Sequence, residues 1–84
     1  MMRVLYFAWL RTTIGKAEEL LPHPAGVATI ADLIQYLATL SPRHAEAFAN
    51  STVIKAAINQ EFAEPEAIIQ DGDEVALFPP VTGG

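Results

Sequence analysis

The apolar spacing of this 84-residue chain changes period twice, and that change limits the folds open to it. Residues 3–9, Arg3-Val4-Leu5-Tyr6-Phe7-Ala8-Trp9, alternate and are rich in β-branched and aromatic side chains, as a half-buried strand requires. At Ile30, Leu33, Ile34 and Leu37 the spacing becomes three and four, which places these residues on one face of a helix. Thr29 is suited to cap that helix, and Asp32 falls in its first turn, where a carboxylate meets the positive end of the dipole. Beyond residue 53 the period returns to two. Residues 53–58 read as a central strand and residues 73–78 as a last strand.

The segments between are punctuated by turn residues. Gly15 breaks the chain before a second strand at residues 16–21, so the N-terminal part is expected to form a hairpin. Pro22, Pro24 and Gly26 mark a loop. The helix is expected to run to about Leu40, and Ser41-Pro42 can start a second, shorter helix to about Ala49, with proline at its first position. Asn59-Gln60 forms a turn, a short strand follows around Phe62, and residues 65–69 form an irregular helical turn. Asp71-Gly72 turns the chain into the last strand. The order strand, strand, helix, strands describes an α+β sheet packed on one main helix. It is the pattern of a β-grasp, ubiquitin-like domain, with first and last strands side by side in the middle of a mixed sheet. The expected division is a domain over 1–78 and an extended tail over 79–84.

Strand parity sorts the two faces of that sheet. Val4, Tyr6, Ala8, Ile54, Ala56, Ile58, Val75 and Leu77 are expected on the helix side. The opposite set contains the charges, and it leaves Phe7 and Phe78 as large apolar residues on the outer face. Either they form a docking patch or each is a half-buried phenylalanine without a partner.

Composition excludes several kinds of function. Without cysteine there is no disulfide framework, thiolate metal site or cysteine nucleophile. No apolar run approaches the roughly 18 residues of a membrane span. The opening residues lack a signal-peptide pattern, so the cytoplasm is the expected compartment. The formal charge is −5, and after Lys55 the chain carries Glu61, Glu64, Glu66, Asp71, Asp73 and Glu74 with no Lys or Arg. That balance disfavours nucleic acid; it suits a basic protein surface, and by itself it equally describes an ordinary acidic, soluble domain. No phosphate-binding, dinucleotide-binding or nucleophile-elbow motif is present. His23 and His44 are expected at the surface, and no metal site is expected.

What remains is the ending. Pro79 and Pro80 hold the backbone extended, and the four residues Val81, Thr82, Gly83 and Gly84 reach roughly 13 Å at about 3.3 Å each. Gly83 and Gly84 can thread a slot too narrow for any side chain. Two readings are open: a frayed terminus, or a carboxylate delivered into another protein's active site. In the second reading a partner must activate the carboxylate, since this chain has no means of doing so.

Three segments carry a resemblance: Val4-Leu5-Tyr6-Phe7-Ala8 with Arg11, Ala57-Ile58-Asn59-Gln60-Glu61, and the ending from Asp71 through Phe78-Pro79-Pro80-Val81-Thr82-Gly83-Gly84. With them the chain resembles the family of molybdopterin synthase small subunits, the MoaD-type sulfur carriers. The resemblance implies a β-grasp fold and a cycle in which an E1-like adenylyltransferase uses ATP to activate the Gly84 carboxylate. A sulfur donor then converts it to a thiocarboxylate. The tail finally enters the large synthase subunit, which supplies the catalytic groups, and gives its sulfur to a cyclic pyranopterin monophosphate to build the molybdopterin dithiolene. The resemblance also implies partner contacts at Phe7, Phe62, Phe78 and Arg11, no cofactor held by this chain, and a heterotetramer of two small and two large subunits. Thr12 stands where the family often has an acidic residue. The rivals are a thiamine-type sulfur carrier, a protein modifier joined to lysines, and an interaction domain with an inert tail.

Overall fold

Strand β1 (Met2–Tyr6) leads into a short helix α1 (Trp9–Ile14) and returns as β2 (Glu18–Leu21) in this computed structural model, which describes residues 1–80. Helices α2 (Ile30–Leu37) and α3 (Pro42–Ala47) follow, then a 3-10 turn (Ser51–Val53). Strands β3 (Lys55–Ile58), β4 (Glu61–Ala63) and β5 (Glu74–Phe78) are the last elements among the described residues. The sheet order is β2-β1-β5-β3-β4. β1 and β5 are parallel and central, and the other pairs are antiparallel. This is the mixed β-grasp sheet that the order of periods implied. The tail residues Val81, Thr82, Gly83 and Gly84 lie outside the described residues.

Helix α2 begins where its cap dictates. The Thr29 hydroxyl accepts from the Asp32 backbone N–H at 3.1 Å, and the Asp32 carboxylate accepts from the Thr29 N–H at 3.2 Å. Backbone donors from Ala28 and Thr29 hold the Asp32 carboxyl below the ordinary carboxylate range. Leu33 and Leu37 are completely buried, with Ile30 and Ile34 nearly so, against Val4, Tyr6, Ala56, Val75 and Leu77 from the sheet. Each buried Leu contributes about 1.5–3 kcal/mol of transfer free energy. The helix stops at Leu37, short of the expected Leu40. There the backbone tightens, with Thr39 and Leu40 bonding to the carbonyls of Tyr36 and Leu37 three residues back.

The reading of the N-terminal segment is corrected as well. The first strand does not extend to residue 9, and its link to β2 is helical. Ala8 turns the chain with φ 54, Leu10 and Ile14 are buried four residues apart, and Gly15 closes α1 at φ 87 with its N–H on the Arg11 carbonyl at 2.8 Å. Glycine is required there, because other residues rarely adopt that angle.

The histidines are not at the surface either. His23 is half-buried, 2.6 Å from the Val27 carbonyl. His44 is only 5% exposed and lies 2.9 Å from the Glu19 carboxylate, which also accepts from Tyr6 Oη at 2.6 Å and Lys16 Nζ at 2.9 Å. Burial pushes the Glu19 carboxyl up. Hydrogen bonds from Tyr6, Lys16 and His44 outweigh it and hold the group at about 2, against an ordinary 4.5. Burial, together with the bond to Glu19, raises the Tyr6 phenol far above its usual range. This network ties α3 to the β1–β2 pair.

Strand β3 starts at Lys55, two residues late, because the 3-10 turn takes up Ser51–Val53. Asn59 and Gln60, at φ 50 and 73, form the two-residue connection to β4. The Asn59 side chain accepts from the Glu74 N–H and donates to Asp73, both at 3.0 Å, which fixes this hairpin to the start of β5. Residues 65–69, expected as a helical turn, give one turn closed by Ala67 N–H on the Glu64 carbonyl, then a bridge from Ile68 to Thr29.

Candidate functional site

The strand registers place the outer face of the sheet residue by residue. Across it runs a row Phe62, Ala57, Ala76, Leu5 and Glu18, each paired with its neighbour on the adjacent strand. The two alanines keep the middle of the row low between Phe62 on one side and Leu5 on the other. The next row towards the end of β5 holds Lys55 opposite Phe78. Phe7, just past β1, donates its N–H to the Leu77 carbonyl at 3.1 Å and so lies at the same end.

Phe62 is 87% exposed and Phe7 47% exposed, while Phe78 is half-buried. The Phe62 and Phe78 rings meet edge-on with centroids 5.9 Å apart, an arrangement aromatic quadrupoles favour. Of the four residues singled out as partner contacts, the structure therefore brings Phe62 and Phe78 together and puts Phe7 just past the end of the neighbouring central strand. Arg11 is separate: it is exposed on α1, and no ion pair holds it among the described residues.

The tail leaves from this end. Pro79, half-buried, and exposed Pro80 follow β5 without strand pairing. Lys55 is the nearest cation by register to the point of departure, and sequence reasoning passed over it. Its place opposite Phe78 follows from pairing across the sheet, which no local pattern reveals. The exposed indole of Trp9 was missed with helix α1. At the far end of the same face Arg3 lies 3.4 Å from Glu18 and 3.8 Å from Glu74, and such exposed pairs contribute about 0–1 kcal/mol.

One buried group has the distances of a catalytic relay. Ser41 Oγ lies 2.7 Å from His44 Nδ1, and His44 Nε2 faces Glu19. The serine oxygen is already occupied capping α3, where it accepts the His44 N–H at 3.2 Å. The two hollows beside β4 do not include these residues. With His44 only 5% exposed and the serine engaged as a cap, the arrangement acts as structure. Among the described residues there is no cluster of three or more metal-ligating side chains, and no helix is long and apolar enough to cross a membrane. The site can dock a partner and present the tail.

The ThiS family matches residues 4–84, a span that includes both glycines of the tail. The molybdopterin synthase sulfur carrier subunit of Escherichia coli strain K12 is 41% identical over 85 residues, with both chains covered in full. Among solved structures, SAMP1 from Haloferax volcanii superposes with a TM-score of 0.74 at 29% identity, covering 99% of this chain and 98% of that one. The complex of subunits 1 and 2 of the molybdopterin-converting factor from Helicobacter pylori contains a chain with the same fold. Its TM-score is 0.62 at 21% identity, over 99% of this chain and 97% of that one.

Proposed function

Because this chain belongs to the ThiS family, we propose that it is the sulfur-carrier small subunit of a molybdopterin synthase, with Gly84 as the residue that carries the sulfur. The observation that carries this reading is the end-to-end match with the E. coli sulfur carrier subunit, within a family match that runs through Gly84.

The chemistry needs little from the body of the domain. A carboxylate is a poor acyl donor because oxide is a poor leaving group. An E1-like adenylyltransferase joins the Gly84 carboxylate to the α-phosphate of ATP and releases pyrophosphate. Sulfur at the sulfide level, supplied by a donor, then displaces AMP and leaves a thiocarboxylate. That group is anionic at neutral pH and a soft nucleophile, so no base is required from this chain. In the large subunit the thiocarboxylate sulfur bonds to a carbon of a cyclic pyranopterin monophosphate, water cleaves the Gly84 acyl–sulfur bond and returns the carboxylate, and two such transfers build the dithiolene. The large subunit supplies acid–base and phosphate-binding groups; ATP belongs to the activating partner, and this chain holds no cofactor.

The residues have separate tasks in this reading. Phe7, Phe62 and Phe78 dock the partners, Arg11 contributes a separate charged contact from α1, and Pro79, Pro80, Val81 and Thr82 form the stalk. Gly83 and Gly84 pass the narrow entrance. The acidic last third favours a basic surface around a site that also binds a phosphorylated pterin. The H. pylori neighbour, solved as a complex of two subunits, supports a small-to-large pairing. We place the working assembly in the cytoplasm as a heterotetramer.

The test is reconstitution with the adenylyltransferase, ATP, a sulfur source, the large subunit and the precursor. Full-length chain should yield molybdopterin, and a chain lacking Gly84 should yield none while keeping its fold by circular dichroism. Product formed without Gly84 would refute the assignment. The likeness to SAMP1, a small archaeal modifier protein, favours a second reading as a protein modifier. Gly84 joined to lysines of cellular proteins, found by peptide mass spectrometry, would support that instead.

A further inference from the structure

Strand β4 is an edge of the sheet, and its middle residue is turned outward. The two-residue connection at Asn59-Gln60 makes Ile58–Glu61 a hydrogen-bonded pair, so Ala57–Phe62 is a non-bonded pair and Ala56–Ala63 a bonded one. The amide and carbonyl of Phe62 therefore point away from β3, at an open edge. On the helix side of that edge a groove of about 440 Å³ runs between α2 and the β3–β4 hairpin, floored by Ile30, Ile34, Ala56 and Ala63. On the outer side stands the Phe62 ring. Glu61 and Glu64 flank Phe62 in the chain, Glu66 follows close by, and all three are exposed.

We propose that β4 accepts an extended, basic segment of a partner protein as an added strand, a second docking surface distinct from the Gly84 tail. Main-chain bonds to Phe62 would seat the segment. Alternate side chains would fall into the groove beside α2 and against the Phe62 ring, and its Lys or Arg residues would meet the glutamates. Charge selects this occupant over a second copy of the chain. An antiparallel pairing of two β4 strands about Phe62 sets Glu61 opposite Ala63 of the other copy, yet it gathers Glu61, Glu64 and Glu66 of both copies along one seam, which their like charge opposes.

The experiment titrates isotope-labelled protein with a short synthetic peptide alternating Lys or Arg with Val, and with its glutamate counterpart. The Phe62 amide should shift and gain protection from exchange, with the basic peptide binding about tenfold tighter and losing affinity with added salt. Phe62→Pro removes the outward N–H without breaking a bond to β3, so it should weaken binding further than Phe62→Ala does. Should the proline variant fail to fold, Glu61→Lys combined with Glu64→Lys decides, and it should invert the preference towards the acidic peptide. Absence of binding, shifts confined to other strands, or equal affinity for both peptides would overturn the proposal. So would a concentration-dependent Phe62 shift without peptide, which would identify a second copy as the occupant. Because Gly84 takes no part, these results are read in the same way whether or not the tail carries sulfur.

Discussion

The two faces of the one sheet are built from the same strands and differ in almost everything else. Towards α2 lie Val4, Tyr6, Ala56, Val75 and Leu77, each at most 4% exposed and packed around Leu33 and Leu37. Away from it lie Leu5, Phe7, Ala57, Phe62, Ala76 and Phe78, apolar yet uncovered or half-covered. A single residue step along a strand moves from the side that holds the fold to an apolar side left open. Substitutions on the open side can therefore be made without disturbing the core.

The sharpest way to break this contrast is to make matched truncations on neighbouring residues of β5. Leu77→Ala opens a cavity in the core and should cost about 2–5 kcal/mol of unfolding free energy, read by urea denaturation. A loss below 1 kcal/mol would mean that the helix-facing side carries less of the stability than its burial implies. Phe78→Ala should do the reverse. Partner affinity should fall by about 2 kcal/mol, measured by calorimetry with the purified large subunit, while stability changes by less than half as much. Unchanged affinity would remove Phe78 from the docking face.

The buried Glu19 network gives a pH-dependent version of the same separation. Its folded carboxyl sits at about 2, below the ordinary 4.5, so its contribution to stability is present above 4.5 and is lost as pH falls towards 2. The melting temperature should drop across that window in the native protein and vary less in Glu19→Gln. Parallel curves would show that the carboxylate is not coupled to folding. The smallest effect is expected from Thr29→Ala, which removes the α2 cap at a cost of about 1 kcal/mol and should leave partner affinity unchanged.

How much of this was legible in the sequence depended on the length of the pattern. β1, β5 and α2 each carry enough residues to display a period, so their inner and outer faces, and with them Phe7 and Phe78, could be assigned without the structure. β4 spans only Glu61–Ala63, too short to alternate, and Phe62 was reached through family resemblance alone. Helix α1 was hidden because Ala8 takes a left-handed angle without a glycine to announce it, and Leu10 then continues an apparent alternation. The stop signal was there, in Gly15 following Arg11, but six residues give little helical period to match it. The burial of His44 could not be read locally, since its partner Glu19 lies 25 residues away on another element. Turns written in local chemistry, such as Asn59-Gln60 and Asp71-Gly72, were read correctly.

The claim on which the rest depends is that the tail carries sulfur on Gly84. The most direct measurement is the intact mass of the protein after incubation with its adenylating enzyme, ATP and a sulfur source, followed by fragmentation of the C-terminal peptide. The account predicts a gain equal to one oxygen replaced by one sulfur, confined to Gly84. An unchanged mass, under conditions that sulfurate a known carrier, would contradict it.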